Sequence, residues 1–83
     1  MIAVGMMMPL VPAHDRRPEP GQVYRGKNGR LRRVDRVELM DPFGFDVYWI
    51  KADHQRGPGT GKTWSTTWHD WVSSRCRDLE SAA

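Results

Sequence analysis

The sequence lacks the residues and the runs on which several large classes of protein depend. Only one of its 83 residues, Cys76, is a cysteine, so neither an internal disulfide nor a cysteine-rich zinc site can form. No apolar run approaches the roughly 18 residues of a membrane-spanning helix. The longest candidate, Met1 to Val11, is interrupted by Gly5 and Pro9 and lacks the basic start of a secretory signal. We therefore expect a cytoplasmic protein without a membrane partner.

Catalytic and metal-binding constellations are also scarce. The three histidines and Cys76 form no close pair at the spacing of metal ligands. The string from Gly57 to Thr63, GPGTGKT, resembles a phosphate-binding loop, but Arg56 stands where that loop requires its leading glycine. We expect a flexible hairpin loop here, with phosphate binding through its backbone N–H groups as the less favoured alternative. The sequence thus predicts a protein that is not an enzyme and that holds no cofactor or metal.

Positive charge is concentrated in one segment of the chain. The net charge is +3, and residues 22–40 carry six basic against two acidic residues. Most of the basic residues of the chain are arginines, whose planar guanidinium pairs with phosphate and carboxylate in two-point geometry. A solvated face with its own cross-strand ion pairs is the competing interpretation. The candidate ligands for a phosphate or an acidic partner are Arg25, Lys27, Arg30, Arg32, Arg33 and Arg36.

Turn signals divide residues 21–65 into strands. Asn28-Gly29 is the pair that a two-residue hairpin turn prefers, because both central residues of that turn need positive φ. It predicts a hairpin between a short strand at residues 22–24 and a long strand over residues 30–40, in which three-residue apolar steps indicate a bulge. Phe45 to Lys51 alternates as a strand, and Thr63 to Ser65 is a possible last one.

The outward side of the strand from Phe45 to Lys51 carries two large side chains, Tyr48 and Ile50, that need cover. A C-terminal helix, closure of a barrel or a second copy of the chain would each provide that cover. A homodimer is therefore one expectation, which a monomeric mass in dilute solution would contradict.

Aromatic residues dominate the C-terminal third. Trp68, Trp71, Val72, Arg75, Cys76 and Leu79 recur at the spacing of one helical face, which predicts a C-terminal amphipathic helix. The default role of the four tryptophans is to fill the core. Three aromatic residues remain as candidates for stacking on a base or gripping a partner, namely Tyr24, Tyr48 and Trp64.

The domain organisation follows from the prolines at the N-terminus. Residues 1–20 contain four prolines and show neither helical nor strand periodicity, which predicts a flexible arm. Residues 21–80 then form a single small β-rich domain. The expected fold is α+β, mainly β, with a small bent antiparallel sheet of three to four strands and the C-terminal helix.

Several short strings together resemble uncharacterised small proteins of bacteriophages and prophages that have an SH3-like character. The strings are Gly21-Gln22-Val23-Tyr24-Arg25, Gly29-Arg30, Arg33-Val34, Val47-Tyr48-Trp49, and Trp68 with Trp71-Val72. The resemblance implies a sheet curled towards a small SH3-like half-barrel and non-enzymatic work in phage biology. It carries no site residues over to this chain.

Two functional hypotheses follow. The first is a small basic binding module that associates with nucleic acid through an arginine-rich hairpin, whose binding weakens steeply with salt. The alternative is a phage-type inhibitor or adaptor that binds an acidic protein surface of a host complex, for example one used in defence, through arginine and aromatic residues.

Overall fold

The computed structural model describes residues 17–80, which form one open antiparallel sheet of five strands and two short helices. The strands are β1 (Val23–Gly26), β2 (Leu31–Leu39), β3 (Phe45–Lys51), β4 (Thr60–Trp64) and β5 (Val72–Arg75); the helices are α1 (Ser65–Trp71) and α2 (Arg77–Glu80). The strand order is β4-β3-β2-β1-β5. The predicted antiparallel, mainly β fold is confirmed, with one strand more than expected.

The predicted hairpin between β1 and β2 is present, but its turn differs from the expected one. Gly29 has a φ of +83°, whereas Asn28 keeps a negative φ. The Gly29 N–H donates to the Gly26 carbonyl, and the Gly26 N–H donates to the Arg30 carbonyl, each over 2.9 Å. The loop therefore has three residues and ends on a left-handed glycine, a common alternative to the two-residue turn. Asn28 Oδ1 accepts hydrogen bonds from the Arg30 N–H and the Trp71 indole, which hold it in this conformation.

The second hairpin follows the sequence expectation closely. β3 has the predicted bounds, and the register of β2 against β3 shifts between Val34 and Arg36, so the predicted bulge is confirmed. The extra residue at the bulge changes which side chains share a face. As a result Arg33 and Arg36, three positions apart, both lie on the side of the sheet that carries Tyr48 and Ile50.

The core lies on one side of the sheet, which we call the inner face. Phe45, Val47 and Trp49 alternate along β3 onto this face and pack with Val34 and Trp68. Trp68 anchors α1 to the sheet with only 1% of its surface exposed. The opposite side of the sheet, the outer face, is partly open to solvent, but Val23, which pairs with Arg33, is fully buried there.

The predicted C-terminal amphipathic helix is wrong. α1 ends at Trp71, and Val72–Arg75 forms β5, which pairs antiparallel with β1. A β-branched valine followed by two serines propagates a helix poorly, while pairing with β1 satisfies backbone groups that would otherwise be open. Cys76 is buried just beyond β5, where its N–H donates to the Val23 carbonyl. Leu79 lies in α2, so the apolar spacing combined three separate elements.

The predicted flexible arm lies mostly outside the described residues. Of its last four residues, Pro18 is buried and the carbonyl of Glu19 accepts a hydrogen bond from the Gln22 N–H. The described part of the chain therefore makes packing contacts slightly before the expected start at Gly21.

Candidate functional site

The six predicted basic residues do not form one surface. The register places Arg25, Arg33 and Arg36 on the outer face, because their cross-strand partners are Leu31, Ile50 and Tyr48. The other three lie elsewhere: Lys27 in the hairpin loop, Arg30 at the end of the hairpin against Asp53, and Arg32 on the inner face. Strand alternation thus divides the arginine-rich hairpin between two sides of the sheet.

A row of three side chains crosses the outer face. In the register, Arg36 of β2 and Lys62 of β4 both lie opposite Tyr48 of β3. The Arg36 Cζ is 3.8 Å from the centroid of the Tyr48 ring, and the Lys62 Nζ is 5.9 Å from it. Both distances are within the range of a cation–π interaction. The cover that Tyr48 requires is therefore supplied by two cationic side chains of the same sheet.

The neighbouring row extends the same surface. Arg33, Ile50 and Thr60 lie opposite one another on β2, β3 and β4, and Ile50 is 42% exposed. Arg33 has no carboxylate partner among residues 17–80, and neither have Arg25 and Lys62. Arg33 is half-buried, and its Nη1 is buried without a hydrogen-bond partner among these residues. The two rows therefore combine unpaired positive charge, part of it half-buried, with an aromatic ring and an exposed aliphatic side chain.

The next row brings acidic residues to one end of this face. Glu38 and Asp46 are cross-strand partners, and the Glu38 carboxylate lies 3.5 Å from Arg36 Nη1. Both side chains of this ion pair are about half exposed, and such pairs contribute little to stability. Arg36 is therefore held only loosely and can exchange Glu38 for another anion.

Arg30 has a structural partner. Its Nε donates to Asp53 Oδ2 over 3.0 Å and its Nη2 donates to Oδ1 over 3.3 Å. The Asp53 carboxylate also accepts hydrogen bonds from the backbone N–H groups of Leu31 and Gln55. The hydrogen bonds from Arg30 and Leu31 hold the pKa of Asp53 well below its ordinary value. This cluster joins the β1–β2 hairpin to the loop after β3, so Arg30 is committed to the fold.

Arg32 is enclosed between two tryptophans on the inner face. Its Cζ lies 4.0 Å from the Trp49 ring and 4.2 Å from the Trp71 ring. The pKa of Arg32 is lowered because burial disfavours its charge and because Arg30 is nearby. Two glycines make room for the rings. A Cβ on Gly61 would lie 2.3 Å from the Trp49 ring, and one on Gly26 would lie 1.9 Å from the Trp71 ring.

We call this arrangement the tryptophan–arginine stack, made of Gly61, Trp49, Arg32, Trp71 and Gly26. Sequence reasoning missed it because its members come from β4, β3, β2, α1 and β1. The one available signal in the sequence was the glycine content of the GPGTGKT string. Glycine is required at Gly61 because the Trp49 ring packs closely against the backbone there. Gly61, Lys62 and Thr63 lie in β4 and not in a phosphate-binding loop.

The three aromatic candidates have different environments. Tyr24 packs edge-on against Trp68 with ring centroids 5.5 Å apart, and its hydroxyl donates to Gln22 Oε1. Burial raises the pKa of Tyr24. It therefore belongs to the inner face, whereas Tyr48 lies on the outer face. Trp64 lies opposite Asp46 at the acidic end and is half-buried.

Within residues 17–80 no group of three or more histidine, cysteine or acidic side chains is placed to hold a metal ion. No helix in this part of the chain is both long enough and apolar enough to cross a bilayer. Comparisons with protein-family models, with curated proteins and with solved structures found no match to this chain. The candidate site therefore depends on the geometry of the outer face alone.

Proposed function

We propose that the protein is a non-enzymatic module that binds single-stranded nucleic acid on the outer face of β2, β3 and β4. The observation that carries the proposal is the row Arg36–Tyr48–Lys62, in which an aromatic ring lies between two cationic side chains. Single strands are bound by this combination, since cations neutralise phosphates while bases stack on rings or guanidinium planes.

The dimensions of the sheet suit an extended strand. Neighbouring strands are roughly 4.8 Å apart, so the backbones that carry Arg36 and Lys62 are separated by about 10 Å. Arg33 and Arg25 continue the positive charge towards β1 and its hairpin. A nucleic acid that runs across the strands would find a cationic side chain for its phosphates on each side of Tyr48. Ile50 offers an apolar contact beside the Tyr48 ring.

Sequence specificity is not part of the proposal. The side chains of the two rows are suited to phosphates and ring faces, whereas base edges are read by amides and by bidentate arginines held in a groove. We infer a binding mode in which affinity comes from charge and stacking, and in which single-stranded DNA and RNA are both ligands.

We also propose that the fold is an SH3-like half-barrel, as the sequence resemblance implies. Its support is the path of the chain, a meander of four strands whose fifth strand returns to pair with the first. β5 stands where the sequence predicted part of a C-terminal helix, and SH3-like barrels usually finish with a strand. Work in phage biology and a cytoplasmic location stay part of the same proposal.

The test is the salt dependence of binding to short fluorescent oligothymidylate and oligouridylate, measured by anisotropy between about 50 and 200 mM salt. The double variant Arg36→Gln/Lys62→Gln should bind more weakly and reduce the slope of log affinity against log salt by about 1.4, or about 0.7 for each lost phosphate contact. The matched control is Arg56→Gln/Arg77→Gln, which removes the same charge at exposed positions elsewhere.

The control should keep the slope of the wild-type protein. Equal losses in the two double variants would show that only net charge matters, and the absence of any binding at low salt would refute the proposal.

A second candidate function is binding of a protein partner, which a separate observation favours. Leu39, Met40 and Phe43, at the β2–β3 hairpin end, are each at least 44% exposed, and Phe43 is 81% exposed. Exposed aromatic side chains of this kind are typical anchors of protein interfaces. Capture of a partner that survives nuclease treatment, and is lost in Phe43→Ser, would favour this function over the first.

A further inference from the structure

A second group of cationic side chains lies on the opposite side of the sheet from the proposed nucleic-acid surface. A cleft of about 130 Å³ opens at the end of the tryptophan–arginine stack, between the β1–β2 hairpin and the loop after β3. We call it the Arg32 cleft, and its lining residues are Asn28, Arg30, Leu31, Arg32, Trp49, Lys51 and Pro58.

The polar side chains of the cleft offer donors and almost no free acceptor. The guanidinium of Arg32 makes no hydrogen bond to residues 17–80, so its N–H groups have only solvent to bind there. Asp53 is not available to accept a hydrogen bond from Arg32, because its carboxylate already accepts four hydrogen bonds. Lys51 uses one of its three N–H groups on the Gln55 carbonyl.

Asn28 adds a further donor. Its Oδ1 already accepts hydrogen bonds from the Arg30 N–H and the Trp71 indole, both over 3.1 Å. The amide NH₂ group is therefore left to donate. Arg32, Lys51 and Asn28 together present donors from β2, β3 and the hairpin loop to one small space.

The stack also prepares Arg32 for binding. The guanidinium carbon lies over two indole rings, so its N–H groups are the part that remains for a ligand. A side chain held in this way loses little conformational freedom when a ligand binds. An anion also interacts more strongly with a partly desolvated cation than with a fully hydrated one.

We propose that the Arg32 cleft binds the phosphate group of a phosphate monoester. A phosphate monoester has three terminal oxygens and up to two negative charges, which match three separate donor side chains of which two are cationic. Trp49 and Pro58 form an apolar wall beside the donors, against which the esterified group packs. The inference does not depend on the proposed function, because Arg32 and the row Arg36–Tyr48–Lys62 lie on opposite faces.

The test is an NMR titration that follows two side-chain signals, the Arg32 Nε–H and the Trp71 indole N–H. The probes are adenosine monophosphate, inorganic phosphate, adenosine and acetate, each added at constant ionic strength. We expect both signals to shift and saturate with adenosine monophosphate and with inorganic phosphate, and to stay in place with adenosine and acetate. Equal responses to adenosine monophosphate and adenosine, or a saturating response to acetate, would overturn the proposal.

Two variants assign the response to the cleft. Arg32→Met keeps an unbranched side chain between the tryptophans but lacks the guanidinium, and the affinity for adenosine monophosphate, followed at the Trp71 signal, should fall at least tenfold. Lys51→Gln leaves the stack intact and should weaken binding severalfold, which keeps the test valid if Arg32→Met folds poorly. Unchanged affinity in both variants would contradict the assignment.

Arg36→Gln/Lys62→Gln separates this site from the proposed nucleic-acid surface. It should bind adenosine monophosphate as the wild-type protein does, whether or not the outer face binds nucleic acid. Loss of phosphate binding in that variant would place the anion on the outer face and would overturn the assignment to the cleft.

Discussion

Arg32 and Arg33 are neighbours in the sequence, yet they lie in opposite environments. Arg32 is enclosed between Trp49 and Trp71 on the inner face, whereas Arg33 lies on the outer face beside Ile50 and without a carboxylate partner among the described residues. The comparison shows that basic residues clustered in one segment of the sequence need not form one positively charged surface. Because a strand sends alternate side chains to opposite sides, an arginine-rich hairpin supplies both the core and the exterior.

The two faces also differ in what their arginines should do for stability. On the inner face and at the hairpin end, guanidinium groups contact two indole rings and the Asp53 carboxylate, which accepts four hydrogen bonds, so their loss should disturb folding. On the outer face Arg36 contacts one ring and a loosely held glutamate, so its loss should alter binding and leave folding nearly unchanged, whereas the loss of the half-buried Arg33 should have an intermediate effect. Substitutions on the inner face should therefore cost more stability than substitutions on the outer face.

The largest effect is expected from Gly61→Ala, which attacks the tryptophan–arginine stack at its edge. The new Cβ would lie 2.3 Å from the Trp49 ring, so the ring or β4 must move. We expect a loss of about 2–3 kcal/mol in the free energy of unfolding, measured in urea. Gly59→Ala is the matched control, since its Cβ meets nothing within 4 Å, and it should be nearly neutral. Similar losses in both variants would contradict the close packing of Trp49 on β4.

The next effect concerns Asp53, which joins the hairpin to the following loop. Its pKa is lower in the folded chain than the ordinary value of 3.8, because Arg30 and Leu31 donate to its carboxylate. Its contribution to stability is therefore complete above that ordinary value and is lost as the pH falls towards the folded-state pKa. Asp53→Asn should have a lower Tm than the wild-type protein at pH 7, and the difference should shrink under acid conditions.

Glu80 provides the comparison for this acid-dependent loss. A hydrogen bond from Arg75 also lowers its pKa, so some loss of stability in acid should persist in Asp53→Asn and diminish further when Glu80→Gln is added. A constant difference in Tm between Asp53→Asn and the wild-type protein, from neutral to strongly acid pH, would contradict the role given to the carboxylate.

A smaller effect is expected from Arg32→Ala, which removes the cation from between the two rings. Two partly desolvated cation–π contacts and the packing of the aliphatic stem together suggest a loss of about 1–2 kcal/mol in unfolding free energy. Thermal and urea denaturation would measure it. The paired comparison is Arg33→Ala at the neighbouring position, and a larger loss there than in Arg32→Ala would reverse our assignment of the two faces.

The smallest effect on stability is expected from Arg36→Gln/Lys62→Gln. Both side chains are exposed, Arg36 forms one solvent-accessible ion pair, and both contact the Tyr48 ring, so the free energy of unfolding should change by less than about 1 kcal/mol. Urea denaturation in parallel with the anisotropy measurements would test this. A loss of several kcal/mol would show that the outer row maintains the fold, and the binding data for this variant would then lose their meaning.

Much of the fold could be predicted from the sequence because its signals are local. The Asn28-Gly29 pair located a hairpin, apolar steps of three residues located the bulge in β2, and the alternation from Phe45 gave the bounds of β3. β5 could not be predicted in this way, because its partner β1 lies about 50 residues earlier. The helical spacing of Trp68 and Trp71 was real, but it extended by chance into residues that belong to β5 and α2.

The candidate site was predictable in composition but not in arrangement. Arg25, Arg33, Arg36 and Tyr48 were candidates that the fold brings to one face, whereas Arg30, Arg32 and Tyr24 were candidates that it uses elsewhere. Lys62 was missed because the glycine-rich string obscured its position in a strand. Which side a residue of β2 faces depends on the position of the bulge, which a single sequence locates only approximately.

The most direct test of the outer-face proposal is an NMR titration with a short single-stranded oligonucleotide that carries a 5′-hydroxyl and no terminal phosphate. We expect the Ile50 methyl and Tyr48 ring signals to shift to saturation while the Arg32 Nε–H signal stays in place. Shifts centred on α1, α2 or the tryptophan–arginine stack, with Tyr48 and Ile50 unchanged, would contradict it.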